Sequence, residues 1–371
     1  MRRRAIARAP GRVNLIGEHT DYHGGWVLPA AISLGTRVEV CLRDGAQVIG
    51  RSRELAEVAA GLAAPAAGDW LDYPRGVALE LADCGRVPAR GFELRVESEL
   101  PIGAGLASSA ALCVATALAL AAAAGRPFGE AERAELARLC QRAESRFAGV
   151  PCGIMDPWAA LFGRPGAALR LRCSDAWFEP VALPERLELL MVDTGVRHSL
   201  RDGRFALRQR ECAQALQAAR RVASRDLDGL SDVTRADLGR LASELPPLGL
   251  RRIRHVVSEN ARVATLAEAL GRGDLQAVGA ALYASHESLR RDYQVSCPES
   301  DFLVESSRTL EGMVGARMTG AGWGGCTLHL VREDHGARCE AALVGRFEAR
   351  FGRRPRSWRL RAEGAARLLS D

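Results

Sequence analysis

The chain has no lysine: all 51 of its basic residues are arginine. That absence excludes a phosphate-binding loop of the form GxxxxGK[ST], whose lysine reaches the terminal phosphates. Any nucleotide chemistry here must use another cradle. Aromatic residues are scarce too, at 5% of 371 residues, so there is no stacking platform for single-stranded nucleic acid. The net charge of +6 arises from arginines interspersed among 45 acidic residues, and the most basic stretch, Arg350-Phe-Gly-Arg-Arg-Pro-Arg356, makes no single-sign face. No nucleic-acid partner is therefore expected, although a positive field favours anionic ligands.

The ten cysteines (41, 84, 113, 140, 152, 173, 212, 297, 326 and 339) include no CxxC pair, and most lie inside apolar runs. They fit reduced core thiols better than a disulfide framework or a zinc site, which points to the cytoplasm. The alanine-rich run from Ala110 to Ala124 falls short of a membrane span, and the basic opening Met1-Arg-Arg-Arg-Ala-Ile-Ala-Arg8 has no apolar stretch behind it. Neither secretion nor membrane insertion is expected. With 47% hydrophobic residues the chain has ample material for a core, and a prior of about 150 residues per domain suggests two domains.

What the chain does have is glycine in telling places. Pro101-Ile-Gly-Ala-Gly-Leu-Ala-Ser108-Ser109-Ala-Ala111 is a glycine-punctuated turn ending in hydroxyls and running into the helix predicted from Ala110 to Ala124. Glycines let backbone N–H groups turn inward, and the helix N-terminus adds about half a positive charge, so a phosphate bound there needs no lysine. Taken alone, a glycine-rich turn before a buried helix explains the stretch as well. A second cluster, Met318-Thr-Gly320-Ala-Gly322-Trp-Gly324-Gly325-Cys326, precedes an alternating run, Thr327 to Val331, that reads as a strand. Two such loops argue for a polyanion or a tight turn over a cleft.

Elsewhere, Thr36–Leu42, Phe92–Ser98 and Leu187–Val192 read as strands. From Glu130 to Phe147, apolar residues at 136, 139, 140, 143 and 147 mark one helical stripe, stopped by Gly149 and Pro151. Between about 205 and 290 the pattern is helical and charged, broken at Pro246-Pro247. The softest place for a domain boundary is 165 to 185, where Gly163, Pro165, Gly166 and Pro180 interrupt regular structure.

Polar groups crowd two further segments. Ala9 to Gly25 packs Arg12, Glu18, His19, Asp21 and His23 among ordered glycines and reads as a binding loop. Carboxylates and imidazole in a short loop suit a polyhydroxylated ligand; the alternative is a metal held by Glu18, His19, Asp21 and His23, but no HExxH pattern or downstream His/Cys cluster supports it. In Pro151-Cys-Gly153-Ile-Met-Asp156-Pro157-Trp158, the plain reading of Asp156 is a helix N-cap ahead of Pro157 at the first helical position.

Taken together, these segments resemble the GHMP kinases, and within them the galactokinase branch. Gly11 to Tyr22 with Val27-Leu-Pro29, Pro101 to Ala111, and Gly320 to Cys326 carry the match. Cys152 to Asp156, Val196-Arg-His-Ser-Leu200, Arg254 to Val257 and Asp292 to Pro298 extend it, so the likeness runs from about residue 8 to 331. The run 11 to 22 is the part specific to the galactokinase branch.

The resemblance implies an α+β, two-domain GHMP kinase fold. An N-terminal domain (1–175) would resemble the second domain of ribosomal protein S5, a C-terminal domain (176–371) would be ferredoxin-like, and the active site would lie in the interdomain cleft. It implies ATP-dependent phosphorylation of the C1 hydroxyl of galactose to galactose 1-phosphate, the first committed step of galactose catabolism by the Leloir pathway. Asp156 matches the family's base and Arg12 the stabiliser of charge on the sugar oxygen and the transferring phosphoryl group. Glu18, His19, Asp21 and Gly153 match the sugar contacts. Gly103, Gly105, Leu106, Ala107, Ser108, Ser109 and Ala110, with Gly320 and Gly322, match the ATP cradle. Ser109 and Glu144 match the Mg²⁺ ligands, hard oxygens of the kind that ion prefers. The implied partners are galactose and ATP; no nucleic acid or membrane is expected, and the chain is expected to be a monomer, although its sequence does not decide oligomeric state.

The chain departs from the family's pattern in places. Phe205, seven residues beyond His198, stands where a tyrosine usually contacts the sugar, which predicts weaker or broader sugar binding. Pro157-Trp158 replaces a Gln-Phe pair, His23 replaces an asparagine, and Ala107 and Ala111 stand where serines are frequent. A related sugar-1-kinase for N-acetylgalactosamine or arabinose, and a non-enzymatic sugar sensor on the same fold, are the alternatives. A sensor would be expected to have lost part of the loop or the base, and Ser108, Ser109, Glu144, Arg12 and Asp156 are all present.

Overall fold

Alternation of apolar and polar residues builds three sheets in the computed structural model, which describes residues 4–149, 152–197, 203–223 and 225–370. The first sheet has six strands, in the order Arg367–Leu369, Arg4–Asn14, Pro29–Leu42, Phe92–Ser98, Gln47–Ser52 and Val58–Gly61. Helix Ser108–Ala123 lies on this sheet, and its alanines 111, 115, 117, 119 and 121 are fully buried. Such small side chains let helix and sheet backbones approach closely. A second, antiparallel sheet runs Met313–Met318, Cys326–Arg332, Leu187–Asp193, Arg356–Leu360. Helices Leu275–Ser288, Pro298–Ser307 and Gly336–Phe351 pack against it. No helix among the described residues is long and apolar enough to cross a membrane.

Expected strands and helices are present, with informative differences. The helix after the first glycine loop begins at Ser108, so both serines lie in its first turn. The single helix expected over 130–147 is a 3₁₀ turn (Glu130–Glu132), an α-helix (Arg133–Arg142) and a π-turn (Ala143–Phe147). Periodicity does not reveal this π-turn, because it closes the helix and no later turn shows the shift in phase that one extra residue causes. Of the two residues expected to stop that helix, Pro151 lies outside the described residues.

Regular structure also continues through 165–185. Ala167–Arg172 and Trp177–Ala182 form a hairpin beside Trp26–Val27, with Pro180 tolerated because its strand is at the sheet edge. Pro246 caps and Pro247 begins the long helix Pro247–Arg272, where the missing N–H costs nothing. The last strand, Arg367–Leu369, returns to pair with the first.

Candidate functional site

Arg12 is delivered by an irregularity in the first strand. Pairing with Pro29–Leu42 shifts register between Pro10 and Arg12, and Gly11 lies in the gap. A side chain at Gly11 would come 2.7 Å from the carbonyl oxygen of Leu106, so only glycine lets the strand meet the glycine loop backbone to backbone. There the Arg12 N–H donates to Leu106 O at 3.1 Å.

The Arg12 side chain, 7% exposed, joins three parts of the site. Nε and Nη2 donate to the two carboxylate oxygens of Asp156 at 2.8 and 2.9 Å, and Nη1 donates to Gly105 O at 2.6 Å. This fork-to-fork pair fixes the Asp156 carboxylate in orientation as well as distance. Asp156 is not the N-cap of its helix. It lies within the first turn of Met155–Phe162, which Ile154 begins, and its side chain is turned to Arg12 and remains 24% exposed.

The cradle itself is a run of left-handed backbone: Gly103 at φ 70°, Gly105 at φ 79° and Ala107 at φ 58°. Ala107 bears a Cβ in that region, a strain on the order of 1 kcal/mol. No side chain among the described residues caps helix Ser108–Ala123, so the N–H groups of Ser108, Ser109 and Ala110 face outward with the positive end of the helix dipole. The Leu106 side chain is buried in the core. Across from the cradle, a Cβ on Gly320 would lie 3.4 Å from Gly105 Cα, so the two glycine loops face each other closely. Gly322 is likewise left-handed, at φ 93°.

Glu144 comes from the π-turn and is buried beside Ser109. Burial pushes its carboxyl up to about 7; the Ser109 hydrogen bond opposes this and the Asp156 charge adds to it. Its Oε1 has no hydrogen-bond partner among the described residues. A buried hard oxygen without a protein donor, next to a hydroxyl and a phosphate-type cradle, is a donor set that fits a divalent cation.

The sugar-type loop is built from both ends of the chain. Glu18, 2% exposed, accepts from Asn14 Nδ2 (2.8 Å), Thr319 Oγ1 (2.9 Å) and Gly320 N (2.9 Å), and forms an ion pair with Arg317 Nη1 (2.6 Å). Burial raises its carboxyl pKa, and Arg317 is the main opposing influence.

Burial, and after it the nearby His255, drive the His19 pKa well below the usual imidazole value, which favours the neutral ring. Its Nε2 faces the carbonyl of Ala321 at 3.1 Å, so that nitrogen carries the proton, and Nδ1 accepts from Tyr22 Oη at 2.8 Å. Tyr22 in turn meets Tyr293 Oη at 2.8 Å.

Asp21 lies against Gly153, where any side chain would collide with its carboxylate. Burial and the nearby Asp156 lift Asp21 to about 6. Phe205 stands 6.1 Å from the His19 ring and edge-on to Tyr22 at 5.7 Å, so it faces this loop; His198, from which it was counted, and Ser199 and Leu200 lie outside the described residues. Trp158 packs instead in the core against Phe162 and Phe178.

Arg12, Asp156, the two glycine loops, Ser109, Glu144 and the loop 18–21 thus converge. Among the described residues no group of three or more His, Cys, Asp or Glu side chains is arranged to hold a metal, the Glu18, His19, Asp21 and His23 set included. Sequence reasoning missed Arg317, Thr319, Asn14 and Tyr293 as parts of the site. The available signal was an arginine inside the apolar strand Met313–Met318, immediately before the glycine cluster.

Three family models match the chain: the galactokinase galactose-binding signature over residues 2–41, the GHMP kinases N terminal domain over 72–164 and the GHMP kinases C terminal over 266–349. The chain is 40% identical over 356 residues to the galactokinase of Chloroflexus aurantiacus, covering 94% of this chain and 89% of that protein. It is 41% identical over 335 residues to the galactokinase of Canis lupus familiaris, covering 87% and 82%. Among solved structures, Lactococcus lactis galactokinase complexed with galactose superposes with a TM-score of 0.92 at 30% identity, covering 99% of this chain and 95% of that one. Methanococcus jannaschii mevalonate kinase, at TM-score 0.66 and 18% identity over 97% and 98%, is similar in fold alone.

Proposed function

The chain belongs to the galactokinases, has their two-domain α+β GHMP kinase fold and phosphorylates galactose with ATP; from that premise we propose how its residues divide the work. Asp156 is the base that takes the proton from the C1 hydroxyl of galactose as that oxygen attacks the γ-phosphate, giving galactose 1-phosphate and ADP. Arg12 holds the Asp156 carboxylate in line and stabilises charge developing on the sugar oxygen and the transferring phosphoryl group. The observation that carries this reading is the two-pronged Arg12–Asp156 pair, with the third arginine nitrogen on the carbonyl of Gly105. It supports the reading by linking Asp156 to the glycine loop proposed as the phosphate cradle.

The cradle 103–110 takes the ATP phosphates on its amides, Gly320 and Gly322 close over it, and Asp21, Glu18, His19, Gly153 and Phe205 surround the sugar. Ser109 and Glu144 would hold Mg²⁺, which when bound neutralises charge on the phosphates. In our reading the chain divides near residue 175: sugar loop, cradle and base belong to the N-terminal part, and the 318–326 loop to the C-terminal part.

An ADP-release assay over a sugar panel tests this, on the wild type and Asp156→Asn. Galactose-dependent turnover that disappears in the variant is expected. A variant that retains turnover, or a wild type that turns over N-acetylgalactosamine faster than galactose, would overturn the assignment of base or of substrate respectively.

A further inference from the structure

Three consecutive residues of the second glycine loop reach into the sugar loop. Thr319 Oγ1 donates to Glu18 Oε1 at 2.9 Å, sharing its one proton with the carbonyl of Asn14 at 3.2 Å. The Gly320 N–H donates to the same Glu18 oxygen, and the Ala321 carbonyl accepts from His19 Nε2. Thr319, Glu18 and His19 are all buried. Two residues earlier, in the strand Met313–Met318, Arg317 donates to the carbonyls of Asn14 and Leu15, each at 3.1 Å, and forms an ion pair with Glu18. On its other side the glycine loop faces Gly105 of the phosphate cradle. Buried hydrogen bonds to a carboxylate are among the strongest a protein makes, so a shift of the glycine loop is not easily absorbed before it reaches residues 14–19.

We propose that Thr319 is a positioning residue that couples the two substrate sites: it keeps the sugar loop in register with the glycine loop, so nucleotide and galactose each tighten the other's binding. This rests on the preceding assignment of galactose to the loop 18–21 and of the ATP phosphates to the glycine loops. Coupling of this kind is reciprocal and belongs to binding, not to the chemical step.

Thr319→Val isolates the link. It exchanges a hydroxyl for a methyl of the same shape, and both acceptors keep another donor: Glu18 Oε1 from Gly320, and Asn14 O from Arg317. No buried polar atom is orphaned. Galactose affinity is measured by calorimetry with and without a non-hydrolysable ATP analogue, together with thermal melting, for the wild type, Thr319→Val, Thr319→Ala as a second hydroxyl-free variant, and Thr319→Ser. The analogue is expected to tighten galactose binding about fivefold or more in the wild type and in Thr319→Ser, and less than about twofold in the hydroxyl-free variants. A wild type without coupling, or hydroxyl-free variants that retain it, overturns the proposal while leaving galactose phosphorylation intact. Failure of the wild type to bind galactose at all would overturn the site assignment, and this coupling with it.

Discussion

Asp21 is a carboxylate whose surroundings disfavour its charge, and replacing it should separate function from stability. Burial and the neighbouring Asp156 lift its pKa from 3.8 to about 6, against the opposing pull of the Tyr22 N–H and Arg12. Asp21→Asn keeps the shape and removes the charge. Between the unfolded value and about 6 the native state binds more protons than the unfolded chain, so stability falls as pH rises through that window. Above about pH 6 the whole penalty stands, and below about pH 4 it is gone. The span between the two values, at about 1.4 kcal/mol per pH unit, sets an upper bound of about 3 kcal/mol. The asparagine variant should therefore melt higher than the wild type at pH 7.5, with the gain roughly halved at pH 5. If Asp21 accepts from a sugar hydroxyl as proposed, the same substitution should raise the galactose KM about 5- to 150-fold, equivalent to about 1–3 kcal/mol. Melting curves at the two pH values and steady-state kinetics at pH 7.5 check both halves. A variant that melts no higher than the wild type at pH 7.5, or one whose galactose KM is unchanged, refutes the reasoning: the carboxylate would then be neither strained by burial nor facing the sugar.

Two further substitutions probe the same site. Arg12→Lys retains a positive charge but loses the two-pronged contact and the bond to Gly105, and should lower kcat about 100-fold in the ADP-release assay; a kcat within a factor of two of the wild type would show that charge alone suffices. Phe205→Tyr should add one hydrogen bond to the sugar and lower the galactose KM about 2- to 10-fold; an unchanged or higher KM would mean that the ring does not face the ligand.

Much of the fold could be read locally. Period-two alternation marked Thr36–Leu42 and Phe92–Ser98 as strands, a continuous apolar run marked Leu187–Val192, and all lie in strands. The hairpin Ala167–Ala182 escaped because its flanking glycines and prolines look like a linker, whereas Pro180 is tolerated at a sheet edge. The N-cap reading of Asp156 failed because capping is a local bargain, and Arg12, 144 positions away, offers two charge-assisted hydrogen bonds instead. The unpaired oxygen of Glu144 was hidden because the π-turn that carries it ends the helix, leaving no later turn in which its extra residue would show.

The sequence by itself determined the glycine turn and the serines that open the helix behind it. Glycine spacing, paired serines and the absence of lysine are local properties of the backbone and side chains, and they hold wherever the chain runs. Only the tertiary structure decided what stands beside that cradle. It brought Arg12 to Asp156, and it brought Arg317 and Thr319 to Glu18 across about 300 residues. Those pairings have no sequence period, because a buried ion finds its partner through the packing of whole sheets and helices and not through its neighbours along the chain.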